Sequence, residues 1–140
     1  MFLSNLWESP MPRMIFVNLP VADLPKSMAF WRALGFDFNL DYTDETAACL
    51  VLSDTIFAML LTHDKFRGFA RREPADTATH REALIALTMD SREDVDRTVE
   101  AALAHGGAAH GEAVDHGFMY YRPLADPDGH VWELTHFPAS

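Results

Sequence analysis

Residues 128–134 read DGHVWEL and residues 54–60 read DTIFAML. Both open on a turn-forming aspartate and run into an apolar or aromatic segment that ends on leucine at the same offset. Working outward from the two copies, the chain upstream of each carries the same order of signals. Ahead of the first copy, MIFVNLPV at 14–21 has strand character and Asp23 follows it as an N-cap. Leu24, Met28, Trp31 and Leu34 then recur at helical spacing, Pro25 falls in the first turn, and Gly35 stands where a helix stops. Strands are expected at 36–42, 47–52 and 56–62, separated by Thr43-Asp44-Glu45 and Ser53-Asp54-Thr55.

Ahead of the second copy, ALIALTM at 83–89 reads as a strand, and Ser91 with Asp94 makes an N-cap and an acidic first turn. Val95, Val99, Ala102 and Leu103 form an apolar helical stripe closed by Gly106-Gly107. Strands follow at 108–114, 118–124 and 131–136. A repeat of this length is one supersecondary unit used twice. The fold class expected is α+β: two tandem βαβββ modules, module one at 14–63 and module two at 83–136, forming a cupped mixed β-sheet with helices on the outside. A polar linker at 64–82, broken by Gly68 and Pro74, joins them.

The 140 residues suffice for one domain, 14–136, preceded by an N-terminal arm at 1–13. In the arm, Phe2, Leu3, Leu6 and Trp7 either pack on this subunit or a partner, or form a frayed extension ahead of Met11 or Met14. The arm has neither the basic n-region nor the long apolar h-region of a signal peptide, and no apolar run approaches the ~20 residues that span a bilayer. A net charge of −10 opposes nonspecific contact with nucleic acid or an anionic membrane, so neither is expected as a partner. The single cysteine, Cys49, sits in an apolar run, reads as a buried inert thiol, and fits a reducing cytoplasm.

Two local signatures, VADLPKSMAFWRALGF at 21–36 and FMYYRPLADPDGHVWEL at 118–134, together with the doubled βαβββ order, resemble the vicinal oxygen chelate superfamily. This superfamily includes glyoxalase I, extradiol dioxygenases, and bleomycin- and fosfomycin-resistance proteins. The resemblance covers about residues 14–136. It implies that the two sheets face each other around a cavity, often completed by a dimer partner. It also implies a divalent metal held by side chains from the first and last strands of each module.

Carried over position by position, those four ligand positions fall on Phe16, Met59, Leu84 and Glu133. A phenyl ring and an isobutyl group donate nothing to a metal, and a thioether is a poor partner for hard or borderline ions. One carboxylate leaves essentially an aqueous ion. Neither a one-residue nor a two-residue shift of register yields a full ligand set, the best alternatives being Asn18 and Ala86. No cofactor is therefore expected, a divalent metal being the lesser reading.

Glu133 is the catalytic candidate. In a cavity walled by Phe16, Phe57, Met59, Leu61, Leu84 and Ala86, its carboxyl would be desolvated and suited to moving a proton near neutrality. The plainer alternative is a relic carboxylate hydrogen-bonded to Asn18, Thr88 or a tyrosine. Asn18, Thr88, Thr135 and Tyr121 share the inward parity, either orienting a polar substrate or simply filling space. His130 in the turn and His105 after the helix read as exposed, and His63 as a strand-end residue near the cavity mouth. Lys65, Arg67, Arg71, Arg72 and Arg81 are either a solvated connecting loop or a lid attracting an anion. Phe30, Trp31, Phe36 and Phe38 read as core.

The function expected is that of a metal-independent enzyme acting on a small oxygenated metabolite, lyase- or isomerase-like or of another superfamily type, with Glu133 as proton handler. The alternative is a non-catalytic protein that sequesters a small molecule, as the bleomycin-resistance proteins do. A metal-dependent lactoylglutathione lyase ranks third, because its ligands are missing. The partners expected are a small-molecule ligand or substrate and a second copy in a homodimer, since such modules leave strand edges open.

Overall fold

The computed structural model describes residues 11–138. The first ten residues of the arm, with Phe2, Leu3, Leu6 and Trp7, lie outside them. Module one comprises β1 (Ile15–Val21), α1 (Leu24–Ala33), β2 (Asp37–Asn39), β3 (Ala47–Val51) and β4 (Ile56–Thr62). A linking helix, α2 (His63–Ala70), follows. Module two comprises β5 (Leu84–Thr88), α3 (Arg92–Ala104), β6 (Ala108–Ala109), β7 (Val114–Asp115), β8 (Tyr120–Ala125) and β9 (Val131–His136). The sheets run β1-β4-β3-β2 and β5-β9-β8-β6, with β7 also on β8. In each the first strand lies parallel to the last, Phe16 opposite Phe57 and Ala86 opposite Glu133. The doubled unit is therefore mixed α+β, two cupped sheets with α1 and α3 covering one face.

The caps form as the side chains dictate. Asp23 accepts the N–H of Lys26, Ser91 accepts that of Asp94, and Gly35 and Gly106 take positive φ after the helices. The odd-numbered side chains of β1 and β5 and the even-numbered ones of β4 and β9 pack on the helices, as a period of two requires. One apolar cluster results, spanning both modules: Trp31 of α1 meets Trp132 of β9 edge-on at 4.8 Å, and both are buried. Losing a fully buried ring of this kind costs about 3–5 kcal/mol.

The structure departs from the sequence expectations at several points. The strand over 36–42 stops at Asn39, whose side chain accepts the N–H of Asp41 and turns the chain into a short 3-10 segment. The strand over 108–114 breaks into β6 and β7, because Gly111 at φ +131° interrupts the extended run. Leu103 is 37% exposed, and Thr98 takes its place against the sheet. The linker is not loop throughout. Thr62 caps α2 by accepting the N–H of Lys65, and the helix carries Gly68 in its interior at a cost of about 1 kcal/mol. His63 accordingly belongs to the first turn of α2 rather than to a strand end. Among the described residues no helix is long and apolar enough to cross a membrane.

The turn at 126–130 is where the parts meet. Asp126, 5% exposed, accepts the N–H groups of Asp128 and His130 through Oδ1 and the Trp132 indole through Oδ2 at 3.0 Å. Burial pushes its carboxyl pKa up, and these three donors oppose that. The Asp128 side chain then accepts Ala22 N–H at 2.8 Å, and His130 Nε2 donates to the Pro20 carbonyl at 2.7 Å. His130 is thus partly buried against β1 rather than exposed. The hydroxyl of Thr77 donates to the Asp128 carbonyl at 2.6 Å, which brings the linker to the same point. His105 does stay exposed, its ring against the Ala101 carbonyl.

Candidate small-molecule site

The concave face is set by register. Since β1 and β3 both pair with β4, the side chains opposite the core form three rows: Phe16–Phe57–Val51, Asn18–Met59–Cys49 and Pro20–Leu61–Ala47. Module two gives Leu84–Val131–Ala125, Ala86–Glu133–Pro123 and Thr88–Thr135–Tyr121. Glu133 is the one carboxylate in these rows. Met59 occupies in module one the place that Glu133 occupies in module two, as the sequence echo requires. The cross-strand neighbour of Met59 is Asn18, not Phe16, and that of Glu133 is Ala86, not Leu84.

Phe16 stacks on Phe57, ring centroids 4.6 Å apart and planes 11° off parallel, with Phe16 48% exposed. Leu84 is 57% exposed, Met59 and Tyr121 are partly buried, and Thr88 is open to solvent. Tyr120 points the other way, into the core, so the inward tyrosine is Tyr121. Glu133 is partly buried, and its carboxylate has no hydrogen-bond partner among the described residues. Of the suggested partners, Asn18 is engaged elsewhere, its Nδ2 donating to the Phe16 carbonyl at 3.3 Å; the neighbouring Thr135 hydroxyl donates to the Glu133 backbone carbonyl at 3.1 Å. Pro20, Leu61, Ala47 and Cys49 are buried, so within one chain the open floor of this face is Phe16, Asn18, Leu84, Ala86 and Thr88, with Glu133 half-buried beside them.

That floor does not fit a divalent metal. The position on β1 holds a phenyl ring already committed to a stack, β4 offers a thioether, and β5 an aliphatic side chain. Among the described residues no three His, Cys, Asp or Glu side chains come together in a way that could hold an ion. Cys49 is 2% exposed and burial pushes its thiol pKa up, away from the thiolate.

Two clefts among the described residues lie elsewhere. A cleft of about 480 Å³ runs along the seam between β1 and β5, roofed by residues 66–83. Of the candidate pocket residues on the strands Asn18 borders it, together with Arg72 and Arg81 of the linker and His130 of the turn. A second cleft of about 390 Å³ adjoins it, bordered by His63, Arg67 and His130. Sequence reasoning missed the seam because its walls come from separate modules. Two local signals pointed toward it: the basic residues of the linker, of which Arg72 and Arg81 border the cleft, and Thr62 with Asp64 and Phe66, the start of a capped helix with an apolar side.

Residues 13–134 match the family described as glyoxalase/bleomycin resistance protein/dioxygenase superfamily. No curated protein matches the chain. Among solved structures, a hypothetical protein from S. aureus superposes with a TM-score of 0.77 at 25% identity, over 94% of this chain and 98% of that one. A glyoxalase/bleomycin resistance protein/dioxygenase family enzyme from Burkholderia phytofirmans PsJN superposes at 0.75 and 19% identity, over 88% and 97%. The fosfomycin resistance protein FosX from Mesorhizobium loti does so at 0.67 and 14%, over 92% and 95%, which bears on the fold alone. The chain belongs to the glyoxalase/bleomycin resistance protein/dioxygenase superfamily.

Proposed function

We propose that this chain is a metal-independent member of the superfamily that takes a small oxygenated metabolite onto its concave face, with Glu133 handling a proton. The observation that carries the reading is the solitary state of Glu133: one carboxylate, without an internal partner, among rows of apolar and hydroxyl side chains. A carboxylate that nothing in the fold engages is available to a ligand. A flat oxygenated molecule covering the Phe16–Phe57 stack displaces water from the floor and brings its carbon-bound proton to the carboxylate. The carboxylate then removes a proton from carbon beside a carbonyl and returns one to the product. Tyr121, Thr88 and Asn18 supply hydroxyl and amide donors for the oxygen that gains charge. No step passes through a metal.

The test is exchange in deuterium oxide, followed by proton NMR, with a panel of small α-hydroxy ketones and β-keto acids and with a chelator present. The expected result is loss of the carbon-bound proton signal for at least one compound, slowed about 10²–10⁴-fold in Glu133→Gln. Exchange at an unchanged rate in that variant would overturn the reading. The second reading, sequestration, is favoured by the aromatic stack itself, which can hold a flat ligand without any nucleophile. Saturable binding with no exchange of any compound selects it.

A further inference from the structure

We propose that the seam between the modules is a second ligand site, which takes a small organic carboxylate with an aliphatic body. It is independent of the Glu133 reading. The lower part of the cleft is apolar: Val17 and Leu19 from β1, Ile85 from β5, and Phe66 from α2 face one space of about 480 Å³. That volume lies within the ~300–1,000 Å³ usual for small-molecule sites.

The lining also carries two guanidinium groups. Arg72 and Arg81 both border the cleft, in a chain whose net charge is −10. Among the described residues neither makes an ion pair. Arg72 Nη1 donates to the Arg71 carbonyl at 2.8 Å, and Arg81 Nη2 reaches the Gly129 carbonyl at 3.4 Å, so most of their donors stay open. The acid beside them, Glu73, is already held by Arg67 through both carboxylate oxygens at 2.9 and 3.0 Å. Glu82 also borders the cleft, and Arg67 is shared between Glu73 and Asp64, so the two arginines of the lining face two glutamates of which one is already engaged. Two guanidinium groups above an apolar slot match a carboxylate on an alkyl tail.

The strand edges add polar backbone to the same space. Ile15 N–H bonds to the Thr55 carbonyl, so the odd residues of β1 direct their backbone groups at β4 and the even ones at the free edge. On that edge Pro20 and Ala22 are taken by His130 and Asp128. The N–H and carbonyl of Asn18, between Phe16 and Pro20, face the seam with no backbone partner among the described residues. Backbone groups left open at a cleft wall are ready to bind a ligand or its water.

The probe is octanoate below its micellar range, with octanol and octylamine as the uncharged and cationic counterparts. Calorimetry and methyl NMR are run on the full chain. The expected result is saturable binding of octanoate, one per chain, with shifts at Val17 and Ile85. Octanol should bind at least about tenfold more weakly. The double variant Arg72→Gln/Arg81→Gln should lose at least about tenfold in octanoate affinity at an unchanged melting temperature. Glu133→Gln should bind octanoate as the unaltered chain does, which separates this site from the concave face. Equal affinity for octanol, full retention in the double variant, loss in Glu133→Gln, or no octanoate binding would each overturn the proposal.

Discussion

The Asp128 carboxylate accepts the backbone N–H of Ala22 at 2.8 Å, across 106 residues of sequence. The turn between β8 and β9 of the second module is thereby fastened to the junction between β1 and α1 of the first. His130 adds a bond to Pro20 on the same strand. Replacing Asp128 by alanine removes one such bond at an exposed site, and a loss of about 1 kcal/mol in urea unfolding is expected. A larger share is expected from His130→Ala, since Pro20 and His130 border both clefts and are less accessible to water.

Gly129 tests the same joint from its backbone. Its φ of +82° is a conformation L side chains rarely adopt, and an added Cβ would fall on Oγ1 of Thr77 and within 2.9 Å of its Cβ. Gly129→Ala therefore combines left-handed strain with overpacking, for a loss of about 2–4 kcal/mol. Denaturant midpoints measure it. In Gly129→Ala/Thr77→Ala the closest contact, with the hydroxyl oxygen, disappears while the one at 2.9 Å with the Cβ and the strain remain, so only part of the loss should return.

Cys49 is 2% exposed and its thiol pKa is pushed up by burial. Alkylation by iodoacetamide at neutral pH should be on the order of a hundredfold slower in the folded chain than in urea, because reaction waits for opening. Equal rates in the two states would show that β3 is open to solvent.

Asp96 accepts the Tyr120 hydroxyl at 2.5 Å and Arg122 at 3.1 Å, and both hold its carboxyl below the usual range, the tyrosine most. A depressed carboxyl contributes stability that is full above the unfolded value of about 4 and is lost as pH falls through the folded one. Tyr120 is shifted the opposite way, chiefly by burial and then by its bond to Asp96. Its contribution is full below about 10 and is lost as pH rises through the folded value. The difference in melting temperature between the unaltered chain and Asp96→Asn should stay level from pH 7 to about 5 and narrow below about 4. A difference as large at pH 3 as at pH 7 would place the effect outside this network.

The doubled βαβββ order was legible because its signals are local: Asp23 and Ser91 as caps, Gly35 and Gly106 as stops, and the repeated seven-residue echo. The parity that puts Glu133 and Tyr121 on one face follows from a period of two and needed no long-range knowledge. What escaped depends on tertiary neighbours. His130 reads as a solvated turn residue until β1 is placed beside it, and the polar composition of 63–82 hid a helix that covers the seam. The row offset that pairs Glu133 with Ala86 rather than Leu84 is fixed by strand register, to which a sequence alignment of the two modules is blind.

Glu133 is proposed to work alone, without a metal. The test is the metal content of the full chain, purified without chelator or affinity tag and compared with Glu133→Gln. Far less than one equivalent of any divalent ion is expected, the same in both proteins. Stoichiometric nickel, zinc or iron that disappears with Glu133→Gln would contradict that role.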